Sequence, residues 1–112
     1  MIPTEYLPIV NALIDKTKEM KLKWERTSSE TKFQTAIGEN TVVVYYYYTY
    51  PDDIPCIGID ILDLFGEKID QFSSEATDAD FSILDDLYTR ARRNALHIDA
   101  TISTLKSNLD KL

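Results

Sequence analysis

Apolar residues recur every three or four positions at both ends of the 112-residue chain and mostly every second position between them. The first spacing is that of amphipathic helices, the second that of half-buried strands. Tyr6, Ile9, Val10, Leu13, Ile14 and Met20 form one stripe, which predicts a helix over Thr4–Lys21. Thr4 offers a cap, and Pro8 fits best if the regular helix begins near Leu7, with proline in its first turn. Lys16, Lys18 and Lys21 gather at the negative end of the helix dipole.

Strands are predicted over Leu22–Thr27, Thr31–Ile37, Thr41–Tyr50, Cys56–Asp63 and Glu67–Phe72. Turn signals separate them: SSE, GEN, PDDIP and DLFG. In DLFG, Asp63 stands first and Gly66 fourth, the chemistry of a type I turn. The third strand holds four consecutive tyrosines, Tyr45–Tyr48. Alternation sends Val42, Val44, Tyr46, Tyr48 and Tyr50 to one face and Val43, Tyr45, Tyr47 and Thr49 to the other. With Ile37 opposite Val42, Phe33 and Tyr46 share the core face, Gln34 faces Tyr45, and Lys32 faces Tyr47. A three-residue loop would exchange the two sets, because a slip of one residue turns every side chain over.

The C-terminal pattern is the strongest. Phe81, Leu84, Tyr88, Ala91, Ala95, Ile98, Ile102, Leu105, Leu109 and Leu112 are spaced alternately three and four, a heptad seam. Unbroken, that helix is about 48 Å long, against a radius of gyration of about 13 Å for a domain of this size. It should overhang the globule. Its last turns need a cover, from the first helix or from a second copy of the chain. Ile98, Ile102, Leu105 and Leu109 are the candidate dimer seam.

These elements predict one α+β domain over residues 1–112. An N-terminal helix precedes a five-stranded antiparallel meander and a long C-terminal helix, with both helices on one sheet face. The expected inner layer is Trp24, Phe33, Ile37, Val42, Val44, Ile57, Ile59, Ile61 and Ile69, plus the helical stripes.

Composition adds limits. The chain is 44% hydrophobic, too apolar to be disordered. Its net charge of −7 repels phosphate backbones and anionic membrane surfaces. Cys56 is the lone cysteine, so an intrachain disulfide is excluded and a reducing cytosol fits. The opening MIPTEYLPIVNALIDK has no basic n-region, which predicts no signal peptide. The longest apolar run falls short of a membrane span.

Catalytic signatures are lacking: there is no P-loop, GxGxxG, GxSxG or HExxH. Cys56 and His97 are the one thiol–imidazole combination, and nothing in the sequence joins them. Asp52 and Asp53 read as solvated loop carboxylates and Asp60 and Asp63 fall in a strand; metal binding would need several converging ligands, so no metal or cofactor is expected. Two surfaces remain. Tyr45 and Tyr47, with Lys32 and Gln34, form a candidate patch for a partner protein, since tyrosine offers a large rigid area with a polar end. Arg90, Asn94 and His97 share a helical face and Arg93 lies beside them; Arg90, Arg93 and His97 form a candidate site for an anion or carboxylate. Asp86 and Asp99 lie within reach of the same arginines, which makes a solvated face with local ion pairs the competing reading.

The segment LDDLYTRARRNALHIDATISTL, Leu84–Leu105, resembles a pattern in small bacterial proteins of unassigned function. The resemblance rests on Trp24, on Asp63, Gly66 and Ile69 of a D-x-x-G hairpin, and on Leu87, Tyr88, Ala91, Arg92, Arg93, Ala95, Leu96 and Asp99. It implies a bacterial cytosolic origin and brings no activity with it. The chain also resembles, by analogy of layout, small acidic dimeric secretion chaperones. Those carry a mid-chain helix where this sequence has PDDIP. The resulting expectation is a non-catalytic, cytoplasmic, homodimeric module that binds a partner protein as an adaptor, chaperone or immunity-type inhibitor. The alternative is a small-ligand or anion-binding domain.

Overall fold

The computed structural model describes residues 1–112. A single 3₁₀ turn over Thr4–Tyr6 leads into α1, Leu7–Lys18, with Pro8 in the first turn, where its missing amide hydrogen is no loss. No side chain caps this helix, so Thr4 does not serve as the expected cap. The helix buries Val10, Leu13, Ile14 and Thr17. It stops before Met20, whose backbone turns left-handed (φ 61°) and leaves its side chain 76% exposed rather than in the stripe.

Five strands follow: β1 (Glu25–Arg26), β2 (Lys32–Ile37), β3 (Asn40–Tyr48), β4 (Pro55–Leu62) and β5 (Lys68–Glu75). Each pairs antiparallel with its neighbour in sequence, giving the order β1-β2-β3-β4-β5. The first strand is far shorter than Leu22–Thr27; only two residues find partners on β2.

The β2–β3 register differs from the expected one. Ile37 pairs with Asn40, not Val42, because the loop is only Gly38–Glu39, with Gly38 at φ 60°. The displacement is two residues, an even number, so both tyrosine faces stay as predicted. Lys32 therefore stands opposite Tyr45 rather than Tyr47, and Gln34 opposite Val43 rather than Tyr45.

The DLFG turn forms as its chemistry requires. The Asp63 carboxylate accepts the amides of Phe65 and Glu67, both at 2.9 Å, and Gly66 adopts φ 81°. Just beyond it the β4–β5 ladder shifts register: Ile61 pairs with Asp70 and Leu62 with Lys68, which leaves Ile69 without a partner. Ile69 is accordingly 60% exposed, and Phe72 fills the inner position expected of it. Ile37, at the hairpin end, is also exposed, and Ile61 is half-buried against the core.

The C-terminal helical segment is divided in two: α2 (Phe81–Ala95) and α3 (Ile98–Asp110). Between them His97 is left-handed (φ 53°, ψ 43°), the conformation that ends many helices. Both α1 and α2 lie on one face of the sheet, α2 against the strands and α1 against α2. Their shared core joins Val10, Leu13 and Ile14 to Leu84, Leu87, Ala91 and Ala95, and to Phe33, Val44, Ile57, Ile59 and Phe72.

Trp24 knits this core to its polar surroundings. It is 1% exposed; its indole N–H donates to Thr17 Oγ1 at 2.9 Å, and its amide donates to Asn94 Oδ1 at 2.8 Å. Asp80, just before α2, performs the same service at the other end. It accepts the Ile2 amide at 2.6 Å and the Ser74 hydroxyl at 2.8 Å. Burial pushes the Asp80 carboxyl up, but these two donors outweigh it and hold the group below the usual carboxylate range.

Candidate functional site

The tyrosine run splits as alternation demands. On the inner face Tyr46 sits beside Tyr88, ring centroids 5.7 Å apart, and Tyr88 meets Phe33 at 5.8 Å. On the outer face one row across the sheet reads Lys32, Tyr45, Gly58, Ser73. Gly58 has no side chain, and the Tyr45 ring lies in the space. A Cβ at Gly58 would come within 2.4 Å of Tyr45 Cζ. From there the Tyr45 hydroxyl donates to Asp60 Oδ1 at 3.0 Å. Asp60 is buried, and Lys68 Nζ lies 3.6 Å from its other oxygen. Lys32 Nζ stands 5.2 Å from the Tyr45 ring centre, and the Tyr47 ring 5.6 Å from it. The structure thus brings Tyr45, Tyr47 and Lys32 together, with Gln34 one row along. Their contacts are largely with one another and with Asp60.

This arrangement ties stability to alkaline pH. Burial, then the bond to the Asp60 carboxylate, pushes the Tyr45 phenol well above its ordinary value. Tyr6 moves the same way through its 2.7 Å bond to Asp70, and Tyr88 through burial. A phenol held neutral in the fold binds its proton more tightly than in the unfolded chain. Its contribution is therefore complete below about pH 10 and is lost as the pH climbs further. The urea midpoint is expected to hold up to about pH 10 and to fall progressively as the pH rises beyond it, and less steeply for Tyr45→Phe. A midpoint that stays level across this range would contradict the Tyr45–Asp60 assignment.

Arg90, Arg93 and His97 also come together. They line a cleft of about 220 Å³ where α2 breaks from α3, closed on the other side by Thr17, Lys18 and Met20 from the end of α1. Both arginines already hold carboxylates. Arg90 Nε lies 2.9 Å from Asp86 Oδ1, and an Arg93 terminal nitrogen 2.6 Å from Asp99 Oδ1. An anion entering the cleft would compete with both. Cys56 lies opposite Tyr47 on β4, and it is not among the residues that line this cleft. Its thiol is buried, and burial pushes it up, away from the reactive thiolate.

The third surface is α3. Among the helices and strands it touches only α2. Beyond the half-buried Ile98, every residue to the end of the chain is exposed, with Ile102 at 52%, Leu105 at 57% and Leu109 at 65%. The molecule measures 50 × 36 × 26 Å and its radius of gyration is 15.5 Å, larger than the roughly 13 Å of a compact domain of this length. Thirteen residues make a marginal helix in water, since isolated helices shorter than about 12–15 residues are barely stable. An apolar face without a partner adds to that weakness.

No family model, curated protein or solved structure matches this chain.

Two features of these surfaces escape the sequence patterns. The first is Gly58 as a seat for Tyr45. A glycine inside an alternating strand is a signal of close approach, but it does not say which side chain approaches. The second is the break at His97. Helix-ending residues of this kind are usually glycine or asparagine, and a histidine inside an unbroken heptad gives no warning.

Proposed function

We propose that the protein is a non-catalytic protein-interaction module, of the adaptor, chaperone or immunity type, whose contact element is α3. The observation that carries this reading is the uncovered seam of Ile102, Leu105 and Leu109 on a helix that projects from the body. The other two surfaces support it less. The outer-face tyrosine is spent on Gly58 and Asp60, and the cleft arginines on Asp86 and Asp99. No helix of the chain is long and apolar enough to cross a membrane, so that use of the apolar stripe is not available to it.

The test separates contact from folding. The triple variant Ile102→Ser, Leu105→Ser, Leu109→Ser changes side chains that are more than half exposed and lie outside the core. Its melting temperature is expected within about 3 °C of the wild type at low protein concentration. Mass in solution and retention of other proteins on an affinity column are compared for both. Wild type that associates, with itself or another protein, beside a variant that does not, supports the reading. If the two are identical in both measurements, α3 is not a contact element.

A further inference from the structure

We infer that the element covering α3 is α3 of a second copy of this chain, laid antiparallel across a two-fold axis, with Asp99 of each copy paired to the partner's Lys106. This rests on α3 being the contact element, and it adds the partner and the geometry.

The first observation is the shape of the stripe. Ile98, Ile102, Leu105, Leu109 and Leu112 are spaced four, three, four and three, with no further large apolar residue beside them. A helix that packs on a globular surface presents a wider apolar face. A seam this narrow is the kind that meets one other helix with the same spacing. The seam also keeps its phase across the break at His97, from Ala91 and Ala95 into α3.

The second observation is what flanks the seam. Asp99 and Lys106 each follow an inward-facing residue directly, Ile98 and Leu105, and so lie along one flank. Thr101 and Asn108 each precede one, Ile102 and Leu109, and lie along the other. In an antiparallel pair, like flanks face each other. Setting Ile102 opposite the partner's Leu105 places Ile98 opposite the partner's Leu109. Asp99 and the partner's Lys106 are then offset by two residues along the axis, about 3 Å. Two-fold symmetry makes the pair twice. In a parallel pair, unlike flanks meet, so Lys106 would face the partner's Thr101 and no opposite charges would join. Asp99 already pairs with Arg93 at 2.6 Å through one oxygen, and its side chain is 87% exposed, so it can accept a second cation.

The third observation is the charge distribution. Within residues 98–112, Asp99 and Asp110 balance Lys106 and Lys111, so the whole net charge of −7 resides on the rest of the chain. Two such bodies repel. The antiparallel arrangement sets them at opposite ends of a helix pair about 20 Å long, more than two screening lengths of about 8 Å at physiological salt. The parallel arrangement would hold them side by side. One pair of thirteen-residue helices buries less than the roughly 1,200–2,000 Å² of a standard stable interface. The dimer is therefore concentration-dependent.

The experiment uses full-length chains in sedimentation velocity, from micromolar to millimolar. Asp99→Lys places lysine against lysine in its own antiparallel dimer, and Lys106→Glu places acid against acid. Each is expected to self-associate roughly tenfold more weakly than wild type. An equimolar mixture of the two restores both pairs with opposite charges, and is expected to dimerise at least as tightly as wild type. Low salt should enlarge the contrast and high salt erase it. Circular dichroism confirms that each variant keeps its fold, and Lys106→Glu, which touches nothing in its own chain, serves if Asp99→Lys loses its fold. Variants that each dimerise like wild type, with no gain on mixing, overturn the antiparallel geometry while leaving α3 as a contact element. A wild type monomeric throughout overturns the second copy as occupant and leaves a different protein as the cover, which the serine triple variant then decides.

Discussion

Trp24→Ala lowers the unfolding free energy by about 3–5 kcal/mol, the range for emptying the site of a large aromatic core side chain. Small domains have about 5–15 kcal/mol in total, so this single change removes a large part of the stability. The reason is the position of Trp24 more than its size. Its ring is fully buried among residues from both helices and the sheet. Its indole N–H is bonded to Thr17, whose own hydroxyl donates to the Leu13 carbonyl at 2.7 Å, so the ring also fixes the end of α1. Thr17→Val separates the two contributions. It keeps the volume, strands the indole N–H in a dry site, and is expected to cost about 1–3 kcal/mol. Urea unfolding followed by far-UV circular dichroism measures both. A loss below about 1 kcal/mol for Trp24→Ala, typical of a surface site, would place the core elsewhere.

Gly58→Ala costs about 1–3 kcal/mol, although alanine is ordinarily the better strand residue. The Gly58 backbone is not in the left-handed region, so nothing in its conformation opposes a side chain. What opposes it is the Tyr45 ring, 2.4 Å from the new Cβ. To make room the ring must leave its seat, and the buried Asp60 then loses its hydroxyl donor and keeps only Lys68. In a Tyr45→Ser background the same glycine substitution should cost little, because the obstruction is gone. The coupling between the two positions, read from a double-mutant cycle, is expected to approach the whole cost of the single change. Additive effects would show that the ring does not occupy the glycine site.

The sequence patterns carry most of this architecture, and the places where they stop have physical causes. Alternation assigns the tyrosine faces correctly because faces survive any even shift of register. It cannot find the shift itself, which the two-residue loop at Gly38–Glu39 decides. Ile69 reads as inward until the bulge between Ile61 and Leu62 removes its partner, and a bulge adds one residue without changing composition. The heptad from Phe81 to Leu112 reports what each side chain needs, and half of it is satisfied by α1 and the sheet. The other half, from Ile102 onward, is satisfied by nothing in the chain. Periodicity shows that a face is apolar; it does not show whether the same chain supplies the cover. For the candidate surfaces the position is similar. Arg90, Arg93 and His97 meet in one cleft, as helical spacing suggests. The carboxylates that occupy both arginines are Asp86, one turn before Arg90, and Asp99, just past the break at His97, the local ion pairs of the competing reading.

The meander also shapes how the chain folds. Every strand pairs with the next, so most of the sheet closes through short loops, and loop closure adds only about 0.6 kcal/mol for each doubling of length. The expensive closures lie elsewhere. Ile2 must find Asp80 across 78 positions, and Trp24 must find Asn94 across 70. Both fasten α1 and its approaches onto α2 after the sheet has something to offer them. The hairpins can therefore assemble as a local, inexpensive platform. The largest loop-closure cost is then expected to fall on one event, the docking of the two ends of the chain over that platform, with Trp24 as the latch.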